Sequence, residues 1–146
     1  MAAKVLKNIR GFEYDWLALD ADDRVIFFST AGGGYAPDAF REDTEAHKAA
    51  IAELLATRMS TSADFAPILN AACVNTWQAV AERGLYAFDS DPNGDPYKLV
   101  AAPVKPARLG DLPAGVVSIA RKIKLSRLRC TGLTEGAVIK DSLLST

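Results

Sequence analysis

Four stretches of this chain carry residue types that do chemistry. They are the acidic run Asp20-Ala21-Asp22-Asp23, the glycine run Gly32-Gly33-Gly34, the single histidine His47, and the segment Asp89-Ser90-Asp91-Pro92-Asn93-Gly94-Asp95. The acidic run could ligate a cation, but no second ligand cluster lies near it, and aspartates satisfy backbone donors in tight turns, so it reads as a turn. The glycine run could cradle phosphate. It lacks both the Gly-Lys-Ser/Thr ending and the Gly-x-Gly-x-x-Gly spacing of phosphate loops, and reads instead as a mobile surface loop whose backbone can pass close to something. His47 has no cysteine or second histidine beside it for a metal. It lies four residues before Ile51, at the edge of an apolar helical stripe, which places it at a rim. The Asp-x-Asp-x-Asn-Gly segment matches the front half of a calcium loop, but its twelfth position is Val100 where a bidentate glutamate is required. Asp-Pro and Asn-Gly are also strong turn dipeptides, so a hairpin turn is preferred there.

No constellation for nucleophilic catalysis is legible, because an activated serine or cysteine needs a base and there is no Gly-x-Ser-x-Gly elbow. Cys73 and Cys130 read as buried free thiols rather than a disulfide. The expectation is therefore no catalytic residue, no metal and no cofactor.

The elements that would hold these residues follow from periodicity. Asp15–Leu19 and Arg24–Thr30 are β-prone, apolar on both faces, and flank the acidic turn, giving a first hairpin covered on both sides. Pro37 and Asp38 open a helical region in which Ile51, Leu54, Leu55 and Met59 form one stripe. Thr61–Asp64 has the pattern of a capping box, ahead of a main helix from about Pro67 to Arg83 that buries Leu69, Cys73, Trp77 and Val80 and stops at Gly84. Leu85–Asp89 and Tyr97–Ala102 make a second hairpin. A proline connector leads to a short helix with Val116, Ile119, Ala120 and Ile123 on one face. Lys124–Thr131 reads as a strand with Leu128 and Cys130 on one side. A short amphipathic pattern covers residues 1–10, and Val138, Ile139, Leu143 and Leu144 could dock as a last element. The fold class is α+β: one antiparallel sheet built from two hairpins with helices packed on it, in a single domain over residues 1–146.

Composition supports that class. Hydrophobic residues make up 49% of the 146 positions, ample for one core, and the net charge is -1. No apolar run is long enough for a membrane span, and the N-terminal stretch lacks the apolar core of a secretory signal, so a cytoplasmic protein is expected. Charge is uneven: residues 1–104 hold 9 basic and 15 acidic side chains, and residues 105–146 hold 8 basic and 3 acidic. Such a division yields a bipolar surface or cancels when the halves pack together. The one basic cluster, Arg121, Lys122, Lys124, Arg127 and Arg129, has no interleaved aromatics for base stacking, so it reads as a solvated edge rather than a nucleic-acid surface.

The order Trp16-Leu-Ala-Leu-Asp20-Ala-Asp-Asp, then Leu85-Tyr-Ala-Phe-Asp89, then Tyr97 through Ala102-Pro103 to Leu112-Pro113, resembles small bacterial immunity proteins of polymorphic toxin systems. Those proteins combine a W-x-A-x-D-x-D/G hairpin, two helices, and a Y-D…Y…A-x-P…L-P segment. The likeness spans roughly residues 14–113 and departs at Asp23, where glycine is more usual. It implies an α+β cytoplasmic protein that binds one partner, a toxin domain, and performs no catalysis. On that reading the acidic turn (Asp20, Asp22, Asp23), the glycine loop (Gly33, Tyr35) and the acidic helix start (Glu42, Asp43, Glu45) would face a basic cleft of the partner. The competing expectation is a small ligand-binding or enzymatic domain using the Gly32–Gly34 loop and nearby carboxylates.

Overall fold

In the computed structural model the described residues are 6–65 and 75–145. They form a mixed α+β fold with four α-helices on a curled, mostly antiparallel sheet. Strand β1 (Asp15–Leu19) pairs antiparallel with β2 (Val25–Ser29), Asp15 opposite Ser29 and Leu19 opposite Val25. Two short helices follow, α1 (Asp38–Arg41) and α2 (Thr44–Leu55), then the two-residue strand β3 (Ala63–Asp64) and helix α3 (Thr76–Ala81). Strand β4 (Tyr86–Asp89) pairs antiparallel with β5 (Tyr97–Pro103), with a bulge between Ala87 and Phe88. Helix α4 (Ala114–Ala120) and a last strand, β6 (Val138–Ile139), complete the order.

The sheet departs from the expected purely antiparallel one. β2 and β4 pair in parallel, giving the order β1-β2-β4-β5-β3, with β6 also on β5. The reason lies in the connection: a long connection that carries α1, α2 and α3 returns the chain to the end where β2 began, which a tight turn cannot do.

Period-2 alternation sorts the strands between two cores. Trp16, Ala18, Ile26, Phe28, Phe88, Tyr97 and Leu99 face one side, covered by Phe40 and by Leu125, Leu128, Cys130, Ile139 and Leu144 from the C-terminal part. Leu17, Leu19, Val25, Phe27, Leu85 and Ala87 face the other, beneath Ile51 and Leu54 of α2, Val80 of α3 and Val116 of α4. Burial on both faces is why β1 and β2 read as apolar runs rather than alternating ones. On the first side Trp16 stacks on Phe28 with centroids 4.1 Å apart. Its indole N–H donates to the Tyr97 hydroxyl at 3.2 Å, and that hydroxyl donates to the Tyr35 carbonyl at 2.6 Å.

Several boundaries differ from the sequence reading, each for a local reason. The helical region after Pro37 is broken: Asp43 caps α2, its side chain accepting from the Ala46 N–H, and Met59 lies beyond the helix, exposed. Among the described residues Thr61–Asp64 caps no helix; Ala63 and Asp64 form β3. Its Thr61 hydroxyl and Ser62 carbonyl accept from the Lys105 and Val104 N–H groups, drawing the segment onto β5. The start of the expected main helix, with Leu69 and Cys73, falls outside the described residues, as do residues 1–5; helix α3 is capped by Asn75 and Trp77 is only half-buried. Lys124–Thr131 is not a strand. Leu19 exchanges backbone hydrogen bonds with Ile123 and Leu125, then the chain turns, its Leu128 carbonyl accepting from the Ala21 N–H. No helix among the described residues is long and apolar enough to cross a membrane.

Candidate functional site

The acidic turn is a structural joint. Asp20 is fully buried. One of its carboxylate oxygens accepts from the N–H groups of Asp22 (2.8 Å) and Arg24 (2.9 Å), and the other from Cys130 N–H (2.9 Å). Asp23 takes the left-handed conformation, φ 61°, at the place where glycine is the usual choice. Asp22 and Asp23 form ion pairs with Arg129 and Lys124. Part of the charge asymmetry along the chain is thus cancelled by packing of the basic C-terminal segment on the acidic turn. Asp20 is out of reach of any partner, and the exposed pair beside it already has countercharges.

The glycine loop is packed rather than free. A Cβ on Gly33 would fall on the carbonyl oxygens of Asp91 and Pro92, and one on Gly34 would lie 2.7 Å from Ser90 Cβ and 2.8 Å from the Tyr97 hydroxyl. The Gly33 and Gly34 N–H groups donate to the Thr30 carbonyl at 3.1 and 2.8 Å, so they are not offered to a phosphate. The calcium-like segment is the other half of this contact. The Asp91 carboxylate accepts from the N–H groups of Asn93 and Asp95, closing the β4–β5 turn.

His47 is buried, not at a rim. Its Nδ1 accepts from the Leu17 N–H at 3.0 Å, and its ring meets Phe40 edge-on at 4.9 Å. β1 is an edge strand, and this bond covers a donor that would otherwise be left open. Burial lowers the imidazole pKa to about 4. Burial, with Asp20 alongside, pushes the Cys130 thiol well up. Neither group is placed as a catalytic base or nucleophile.

What the structure does assemble is a row of polar residues at one end of the central strands. Asp15 on β1, Ser29 on β2 and Asp89 on β4 are register partners, each on the helix-covered face beyond the apolar residues. The nearest cation in the register is Lys98 of β5, which lies opposite Asp89 and is exposed. Burial raises Asp15 to about 6, with Glu13 and Asp89 adding repulsion. Burial likewise raises Asp89 to about 6, with Glu13 and Asp91 adding to it. Ser29, between them in the register, partly offsets each shift. Carboxylates perturbed in this way concentrate at functional sites. The sequence reading passed over this row because its members lie on three strands, and only the register brings them together.

Beside Asp15 a cleft of about 410 Å³ opens between the start of β1 and the first turns of α2. Glu13, Asp15 and Glu45 line it, with Lys48 as the one cation, and the side chains of Phe12 and Tyr14 border it. Phe12 is 66% exposed. Of the residues expected to face a partner, Glu45 lines this cleft, and Glu42 and Asp43 are exposed just before α2. Gly33 and Tyr35 line a separate, smaller hollow with Arg10 and Arg41. The turn Asp20–Asp23 lies at the opposite end of the β1–β2 ribbon, about 14 Å away along the strands. The expected residues therefore do not form one surface. Compared with protein-family models, curated proteins and solved structures, the chain has no match.

Proposed function

We propose that this chain is a non-catalytic protein-binding module, an immunity protein that neutralises a cognate bacterial toxin in the cytoplasm. The observation that carries the reading is the acidic cleft: Glu13, Asp15 and Glu45 beside an exposed Phe12. An aromatic anchor next to three carboxylates that share the cleft with one lysine suits a partner that inserts a lysine or arginine, whose aliphatic stem packs on the ring while its charge meets the acids. Toxins that act on nucleic acid carry basic active-site clefts, and charge complementarity to such a cleft speeds association. The competing phosphate-binding reading loses support from the Gly33 and Gly34 N–H groups, which are committed to Thr30.

The test is capture of partners from native lysate at low and moderate salt, followed by mass spectrometry and co-expression of the captured protein with this chain. A specific basic partner whose toxicity is suppressed supports the reading. Recovery of no specific partner under both conditions removes it.

A further inference from the structure

Backbone parity shows which groups of β1 point away from the sheet. In an antiparallel pair alternate residues bond to the neighbouring strand and the rest face outward. The Tyr14 carbonyl accepts from the Thr30 N–H, and the Asp20 N–H donates to the Arg24 carbonyl, so the even-numbered residues serve β2. The odd-numbered ones face the free edge. There the Leu17 N–H donates to His47 Nδ1, and Leu19 exchanges hydrogen bonds with Ile123 and Leu125. Before them on the same edge the N–H and carbonyl groups of Glu13 and Asp15, and the Leu17 carbonyl, have no hydrogen-bond partner among the described residues. The acidic cleft runs along this stretch. Tyr14 packs toward Phe40 on one side of the sheet, Asp15 shares the helix-covered side with Leu17, and both line the cleft. A hollow bordered by side chains of both faces lies at the strand's edge.

We propose, on the reading of the acidic cleft as the partner site, that the partner presents a short extended segment with basic side chains, which pairs through its backbone with Glu13 and Asp15 and adds a strand to the β1 edge. Main-chain hydrogen bonds give such a segment affinity, and the side chains beside the edge give it identity. Glu13, Asp15 and Glu45 share the cleft with Lys48, while Lys7 lies over the Tyr14 ring at 5.1 Å. Glu42 and Asp43 are exposed just before α2 and add to the acidic side. That balance selects lysine or arginine on the incoming segment. The same charges exclude a second copy of this chain, since two paired β1 edges would set Glu13 and Asp15 against their own counterparts. The segment is short, because the open edge ends where His47 and then Ile123–Leu125 take over; Glu13 to Leu17 spans about 13 Å, room for about four extended residues. The chain already uses this mode of pairing on the same edge, where Leu19 and Lys124 form a parallel bridge.

The probe is an acetylated, amidated pentapeptide of alternating lysine and valine, titrated to millimolar concentration into the isotope-labelled full chain and followed by NMR and amide hydrogen exchange. Two twins carry backbone N-methyl groups, one on its lysines and the other on its valines, with side chains and charge unchanged. In an added strand alternate N–H groups face β1 and the rest face solvent. The parent peptide should shift the Glu13 and Asp15 amides and slow exchange of the Asp15 amide, which is open in the free chain. One twin should bind like the parent and the other at least about 10-fold more weakly, because its methyl groups stand where the hydrogen bonds form. A parent peptide that leaves those amides unmoved, or two twins of equal affinity, would overturn the proposal. Neither result bears on partner capture and co-expression, so failure of the added strand and failure of the immunity reading are told apart.

Discussion

Asp15 and Asp89 are charged at neutral pH in a place where burial disfavours the charge, and that sets a sign for their effect on stability. Their folded-state pKa of about 6 lies above the ordinary 3.8, so the folded protein binds more protons between those values. Stability contributed by the row is therefore greatest at low pH and is lost as pH rises through that window. His47 acts oppositely over an overlapping window: its folded pKa of about 4 lies below 6.5, so its contribution is full above that value and is lost as pH falls toward 4. The two terms offset one another in the wild type. Asp89→Asn is expected to stabilise the protein at pH 8 by about 1 kcal/mol, after allowing for screening by solvent, and to have little effect at pH 4. Urea denaturation at the two values checks this, and a variant destabilised at both would contradict it. Residues kept at a cost in stability are a mark of function rather than of folding.

At the scale of elements, two joints hold the sheet in place. One is Asp20, which fastens the β1–β2 turn to the C-terminal segment by accepting three backbone N–H groups. Asp20→Ala leaves those donors without a partner and should destabilise by about 3 kcal/mol, measured by denaturation. The other is the contact of Gly33 with the β4–β5 turn. Gly33→Ala should lower stability by about 1–3 kcal/mol, because the added methyl meets the backbone of Asp91 and Pro92. Gly110→Ala, where the methyl meets nothing within 4 Å, is the control and should change little. The β1 and β2 strands, the Asp23 turn and helix α4 were legible in the sequence because local pattern alone specifies them. The parallel β2–β4 pairing was not, since it depends on how a long connection returns. Lys124–Thr131 has alternating apolar residues yet makes no strand, because its backbone groups are used by Leu19 and by the Asp20–Ala21 corner. His47 was misplaced for a similar reason: a helical stripe does not reveal that an edge strand nearby needs an acceptor.

At the scale of the whole molecule, packing the basic C-terminal part against the acidic turn uses Lys124 and Arg129 internally. That leaves the cleft at the other end of β1 as the acidic surface with an exposed aromatic beside it. Binding through such a surface should weaken as salt rises, mainly through a slower on-rate. The most direct test compares a captured basic partner against wild type and a Glu13→Lys/Glu45→Lys double variant by isothermal titration at low salt. An exposed charge pair accounts for up to about 1 kcal/mol, so reversing two should weaken binding by at least about 10-fold, in a variant that still unfolds cooperatively. Equal affinity for the two proteins would mean that the partner binds elsewhere, and the acidic cleft would not be the site.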